Sequence, residues 1–440
     1  MNQFTASLWG DEGFAAVLAQ KPIEQIIKIV AHDTSPPLYY LCLHAWMKIF
    51  GNSEVAIRVL SFLFFLGLCF VVFLIAKHLF DQKTGILAGI LAFLNPFLFY
   101  YGFEGRMYSI LALTSTLSVY FYLKKKWGGW IFATIAALYS HHFALLVIFV
   151  EGIWSLVDFL KHKNFSIKNI LRSSWPFLVV FIFYIPWFYP LYYQTMLVES
   201  GFWLGKPVLS DIFVLVKSFL TGSIKVAEVG WILLVSLILL AIRRWKANKT
   251  DIFLLVWFGA PIILVFLVSQ IGSSIFFDRY MLAMIPPLLI LVVSSRRKFV
   301  SWGLILVLFL LLMRIDYYYF WNPTKRPFRD LASYVKGEIG LEVRLMNFNA
   351  KAHHLWETKY YGLEAPLYVP TGELPFFVGT ALMKEDDIIR EVPRAKKVGV
   401  ITSGSVEEVL LGGYSLKNVV SFGELKVLWF IKNPLNSLYY

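Results

Sequence analysis

The sequence predicts an all-α polytopic membrane protein: about ten transmembrane helices, juxtamembrane helices in the first polar loop, and a small α/β domain at the C-terminal end. Three observations carry that expectation. The apolar content exceeds what a soluble core could absorb, apolar runs recur along the first 320 residues, and the composition changes after them. Of 440 residues, 58% are hydrophobic and 18% aromatic, only 16% are charged, and the mean hydropathy is +0.65. Soluble domains are about 45–50% apolar and about 25% charged, and single cores stop growing near roughly 250–300 residues. Lipid is therefore the solvent for most of this chain.

Runs near the roughly 20 residues needed to cross a bilayer fall at 55–76, 85–101, 107–123, 130–140, 142–160, 174–193, 228–242, 252–271, 279–295 and 299–315. The short ones suit tilted, broken or paired spans. The net charge of +13 forms no basic face for nucleic acid. Lys124, Lys125 and Lys126, then Arg243, Arg244, Lys246 and Lys249, then Arg296, Arg297 and Lys298, sit in short loops between the runs. That is the signature of cytoplasmic loops. The alternate loops (1–54, 102–108, 139–142, 191–227 and 272–279) then face outward, and they hold Asp11, Glu12, Asp33 and Glu104. A polar outer start without a hydrophobic helix leads us to expect a further transmembrane helix ahead of residue 1.

After residue 320 come Pro323 and Pro327, a helix-like stretch at 328–336, and strand-like runs at 343–348, 366–369, 397–402 and 426–431. Gly, Pro and charged residues separate them. The expected division is a first outer loop (1–54), a transmembrane domain (55–320) and an outer α/β domain (321–440). Cys42 and Cys69 supply neither a disulfide framework nor a metal cluster, and Cys69 reads as a small packing residue.

The chemistry gathers in the polar loops. In Trp9-Gly10-Asp11-Glu12-Gly13-Phe14, one of the two carboxylates can act as a general base if held against an acceptor hydroxyl. The pair equally suits a helix start, with Asp11 as N-cap and Glu12 favouring the dipole. The loop continues His32-Asp33-Thr34-Ser35-Pro36-Pro37-Leu38-Tyr39-Tyr40. Ser35 and Pro36 open a helix there, one suited to the membrane interface, and Asp33 is less well explained by it.

Glu104 and Arg106 share the short turn Tyr100-Tyr101-Gly102-Phe103-Glu104-Gly105-Arg106-Met107-Tyr108. An exposed Glu–Arg pair contributes little, and Arg106 could simply snorkel. An arginine at a membrane surface is also a natural clamp for a lipid phosphate, being bidentate and always charged. Asp278-Arg279-Tyr280 repeats the Arg-Tyr theme just ahead of a span, or anchors it at the interface. In Tyr139-Ser140-His141-His142 the adjacent histidines point about 100° apart on a helix. They make a poor metal pair, although one can meet a phosphate, and His353-His354 is no better for metal. Glu151 lies deep in a span, where an acid costs roughly 2.5–3.5 kcal/mol on insertion scales. A protonated carboxyl bonded to a neighbouring helix accounts for it. There is no phosphate-cradling glycine loop and no GxGxxG, so an activated donor would come from the bilayer rather than from a nucleotide fold. Gly85 and Gly89 read as helix packing.

In this order, Trp9-Gly10-Asp11-Glu12, Asp33-Thr34-Ser35-Pro36-Pro37-Leu38-Tyr39-Tyr40, Glu104-Gly105-Arg106-Met107-Tyr108, Ser140-His141-His142-Phe143 and Arg279-Tyr280 resemble the protein-mannosyltransferase-like family. That family belongs to the GT-C superfamily of polyprenyl-phosphate-sugar-dependent glycosyltransferases and is related to aminoarabinose transferases. The likeness runs from residue 7 to about residue 320. Two positions depart from the family pattern: Ser35 stands where a histidine is frequent, and Gly105 where an alanine is.

The resemblance implies a GT-C fold and a helix ahead of the first loop. It also implies a hexosyltransferase of the cytoplasmic membrane, with its active site and C-terminal domain outside. Asp11 would be the general base. Glu12, Asp33, Glu104 and Tyr108 would orient sugar or acceptor, while Arg106, Arg279, Tyr280 and His142 would bind the donor phosphate. The partners would be a polyprenyl-phosphate-linked, mannose-like donor, a protein, lipid or glycan acceptor, and membrane lipid. No cofactor is expected and a divalent metal is not indicated. Rival readings are a transporter or flippase, a polysaccharide ligase of lipid-linked glycans, and an inactive scaffold.

Overall fold

A computed structural model describes residues 1–161, 167–222, 227–242, 248–294, 298–340, 342–348 and 353–434. The basic residues Arg243, Arg244, Lys246, Arg296 and Arg297 lie outside the described residues. The chain divides into two compact units. One is made of Val30–Tyr39 and Arg58–Trp321; the other joins Met1–Ile29, Tyr40–Ile57 and Asn322–Tyr440.

The N-terminal segment forms α1 (Gly10–Ala19), α2 (Ile23–Ala31) and α3 (Leu38–Phe50). The helical unit follows with α4 (Glu54–Leu79), α5 (Gln82–Phe93), α6 (Pro96–Gly102), α7 (Tyr108–Leu123), α8 (Trp127–Ser140) and α9 (Ala144–Lys161). It continues with α10 (Ile167–Tyr184), α11 (Phe188–Glu199), α12 (Leu209–Thr221), α13 (Val229–Ile242), α14 (Lys249–Ile271), α15 (Ile285–Val293) and α16 (Lys298–Trp321). These helices fall on the apolar runs, with α12 added inside a stretch expected to be loop. Among the described residues, four helical stretches are long and apolar enough to cross a membrane: Glu54–Leu79, Ser174–Glu199, Lys249–Ile271 and Ser301–Trp321. The bent pair α5–α6 makes a fifth if counted as one span. The ten expected spans are not reached by that measure, because several runs fold as shorter pieces. Asn95 caps α6 by accepting from the Leu98 amide at 3.0 Å, and Pro96 opens it. This cap-and-proline start bends the pair by 60°. The run Lys124–Lys126 is a tight turn with Lys125 at φ 53°, folding α7 and α8 back as 16- and 14-residue helices.

Glu151 is fully buried on α9, and both its oxygens are occupied. Ser118 of α7 donates to Oε1 at 2.7 Å and Trp130 of α8 to Oε2 at 2.9 Å. The acid thus braces three helices, the structural alternative of the sequence reading.

The other unit carries α17 (Phe328–Glu338), α18 (His354–Tyr360) and strands β1 (Val343–Asn347), β2 (Leu367–Tyr368), β3 (Ile388–Ile389), β4 (Lys397–Thr402), β5 (Tyr414–Phe422) and β6 (Leu425–Lys432). The sheet order is β3-β2-β1-β4-β6-β5. Pairing is parallel from β3 to β4 and antiparallel across β4, β6 and β5. Alternation along the strands sends Leu345, Ile401, Val427 and Trp429 to the face covered by Phe328, Leu331 and Val335 of α17. Met346, Val398, Val400, Leu428 and Phe430 line the opposite face.

The N-terminal segment is fastened to this sheet domain within the same unit. Arg329 donates to Glu54 Oε1 through Nε at 2.9 Å and to the Thr5 carbonyl through Nη2 at 2.9 Å. The Tyr361 hydroxyl donates to Glu54 at 2.9 Å and accepts from the Leu8 amide at 2.9 Å. Helix α1 lies against α18 through two glycines. A Cβ at Gly10 would overlap the His353 side chain and lie 3.2 Å from its Cα; one at Gly13 would lie 2.9 Å from the Trp356 carbonyl carbon and oxygen. Because the obstacle at Gly13 is backbone, Gly13→Ala is expected to destabilise this unit by about 1–3 kcal/mol. A fall of several degrees in the unfolding temperature of the purified protein would register it, and an unchanged temperature would refute the close-docking argument.

Candidate active site

In the helical unit, the bend at Asn95-Pro96 delivers the short turn between α6 and α7. There the Arg106 amide donates to the Glu104 carbonyl at 2.7 Å, and both side chains are buried. A 3-10 turn, Asp278–Met284, leads into α15 and carries Arg279. Its guanidinium lies 4.4 Å from the centre of the Phe277 ring, 5.5 Å from Tyr108 and 5.9 Å from Tyr280. Such cation–π packing fixes the plane of the guanidinium while leaving its charge intact. Tyr108 is within electrostatic reach of Arg279, Arg106, Tyr280 and Glu104. Five residues singled out from sequence, Glu104, Arg106, Tyr108, Arg279 and Tyr280, therefore stand together.

His141 joins them. Its ring packs 4.8 Å from Tyr280. Burial above all, then interaction with His142 and the positive charges of Arg106 and Arg279, holds it well below the usual histidine range. At neutral pH it is an uncharged imidazole beside two permanent cations. Burial raises the nearby Asp278 carboxyl, opposed by the Arg279 amide and charge. The cluster is suited to receive an oxyanion, with arginine donors and aromatic walls in a setting that screens poorly.

His142, expected at the phosphate, has its ring nitrogens placed elsewhere. Nε2 is 2.6 Å from Gln194 Oε1 and Nδ1 is 3.3 Å from the Tyr184 hydroxyl. Gln194 passes the contact on, donating to the Val30 carbonyl at 2.7 Å. Burial pushes His142 down to about 4 despite Gln194. This chain of bonds holds the end of α2, from which the buried Asp33 follows, its amide bonded to the same Val30 carbonyl at 3.2 Å.

Asp11 and Glu12 belong to the other unit. Asp11 is not the helix cap: Trp9 occupies that position, and Glu12 satisfies the Trp9 amide at 3.3 Å. Glu12 is completely buried and forms a 2.9 Å ion pair with Lys325, itself nearly buried. Asp11 projects from the first turn with its carboxylate 3.7 Å from His353 Nδ1. Behind it, on α18, Glu357 is buried, and its Oε2 has no hydrogen-bond partner among the described residues. Burial pushes Glu357 well up, with Arg326 opposing and the charges of Glu12 and Asp11 adding to the rise. Among the described residues, no group of three or more His, Cys, Asp or Glu is placed to hold a metal ion.

Sequence reasoning assigned the phosphate to His142 and not to its neighbour His141, weighed His353 only as a metal ligand, and did not single out Lys325 or Glu357. The choice between adjacent histidines is made by Gln194, and Lys325 meets Glu12 across 313 residues of chain, so no local pattern could reveal either.

Residues 34–193 match the family model described as dolichyl-phosphate-mannose-protein mannosyltransferase. No curated protein matches the chain in sequence. Among solved structures, the fold is similar to ArnT from Cupriavidus metallidurans in the apo state, with a TM-score of 0.67 at 15% identity over 97% of this chain and 94% of that one. ArnT of the same organism bound to undecaprenyl phosphate gives a TM-score of 0.65 at 14% identity, with the same coverage of both chains. The family match thus covers residues 34–193, and the fold of the chain as a whole is similar to that of ArnT.

Proposed function

We propose that this protein is a membrane glycosyltransferase that moves a hexose, mannose-like, from a polyprenyl-phosphate carrier to an acceptor hydroxyl at the outer face of the cytoplasmic membrane. The observation that carries the reading is the cluster of Arg106 and Arg279 with Tyr108, Tyr280 and neutral His141: two fixed cations with aromatic walls, the chemistry a lipid phosphate requires. The undecaprenyl phosphate bound to ArnT supports the same donor class here.

In this reading Asp11 takes the proton of the acceptor hydroxyl while the oxygen attacks the anomeric carbon. The bond to the phosphate oxygen breaks with its electron pair, and the arginines stabilise the departing charge. A single displacement inverts the anomeric centre. Glu12 holds Asp11's turn through Trp9 and Lys325, whereas Asp33 and Glu104 orient hydroxyl groups. The acceptor is a protein, lipid or glycan presented on the outer side.

The test is release of free polyprenyl phosphate from labelled polyprenyl-phosphate hexoses by the purified chain, with membrane extract as acceptor source. Donor turnover with label appearing on an acceptor is expected. Its absence across several sugars would remove the transferase reading.

A further inference from the structure

We infer that His353 is a positioning residue that receives from Asp11 the proton taken from the acceptor, so that the C-terminal part of the chain completes the base. The inference rests on the proposed transferase reading and goes beyond it.

Three observations carry it. First, close packing brings the two groups together. Gly10 leaves room for the Cβ and Cγ of His353, which seats the ring beside the neighbouring Asp11, with Nδ1 at 3.7 Å from Oδ1. Contacts of this kind are often long before substrate binds and tighten in the reacting complex. Second, solvent reaches one side of the pair: the His353 side chain is 39% exposed and that of Asp11 19%. A proton leaving Asp11 through the ring has water on the far side. Third, the neighbouring carboxylates are engaged or enclosed. Glu12 is buried in its ion pair with Lys325, and Glu357 is enclosed on α18.

The step balances as follows. The acceptor O–H bond breaks as its oxygen bonds to the anomeric carbon, and the carbon–phosphate oxygen bond breaks with its pair on the phosphate. The proton resides first on the Asp11 carboxylate and then on His353 Nδ1, giving an imidazolium; release of that Nδ1 proton to water restores the accepting nitrogen and resets the pair. The charged groups around it are Glu12, ion-paired with Lys325, and Glu357, which feels the charges of Arg326, Glu12 and Asp11.

The experiment compares the full chain with His353→Gln and Asp11→Asn, following polyprenyl phosphate release between acidic and mildly basic pH. His353→Gln is expected to lower kcat about tenfold with KM for the donor unchanged, and to recover part of its rate with added imidazole. As a readout independent of turnover, the midpoint for diethyl pyrocarbonate labelling of His353, mapped by mass spectrometry, is expected to fall in Asp11→Asn. That follows because a neighbouring negative charge favours the imidazolium. Turnover by His353→Gln at the parent rate, a rise in KM in place of the fall in kcat, or an unmoved labelling midpoint would overturn the proton hand-off and leave the transferase standing. No turnover by the parent would overturn both.

Discussion

Asp11→Asn is expected to reduce release of polyprenyl phosphate by roughly two to four orders of magnitude, with donor affinity little changed. The amide keeps the size and polarity of the side chain and cannot take a proton. The substitution is mild for the fold, because the capping of α1 falls to Glu12, whose carboxylate meets the Trp9 amide and Lys325. An unchanged unfolding temperature with lost turnover would separate chemistry from stability. Glu12→Gln offers the contrast: it removes the negative charge from a buried ion pair with Lys325 and is expected to act through stability. Full turnover in Asp11→Asn would transfer the base role to Asp33 or Glu104.

The second large effect belongs to Arg279. Removing a donor aimed at developing charge costs about 10²–10³ in kcat, and Arg279→Ala is expected to fall in that range. Arg279→Lys keeps the charge and loses the planar fork and its packing on Phe277, Tyr108 and Tyr280. It should recover only part of the rate, because an ammonium is a point charge that neither stacks nor binds in two places. Undecaprenyl phosphate binding, read by tryptophan fluorescence or thermal shift, should weaken in both variants. Equal binding by parent and Arg279→Ala would remove Arg279 from the donor site.

Much of the helical unit was legible because a lipid-facing helix declares itself by composition. The run at 107–123 became Tyr108–Leu123 and the run at 55–76 became Glu54–Leu79. Breaks inside an apolar run were harder to see. Asn95-Pro96 is a local turn signal that the surrounding Phe and Leu residues outweighed. In the sheet domain, β4 was read at its observed bounds, since its residues are buried and β-branched. Exposed β5, Tyr414–Phe422, pairs only with β6 at the sheet's edge and lacks the alternating pattern that marks a half-buried strand. The arginine–tyrosine motifs were readable because each is contiguous. The partners of Asp11 and Glu12 were not, because α18 and Lys325 reach them only through tertiary packing.

That packing has a consequence for how the protein is made. Chains emerge N-terminus first, so α1 leaves the ribosome more than three hundred residues ahead of the Lys325 that pairs with Glu12. The helical unit can assemble in the meantime, whereas the glycine face of α1 waits for α18. Loop closure over such a separation makes this docking a late event in folding. A product that stops short of residue 320 would hold an intact arginine cluster and an undocked acidic turn. Completion of synthesis is thus built into the architecture as a condition for docking the acidic turn of α1 against α18.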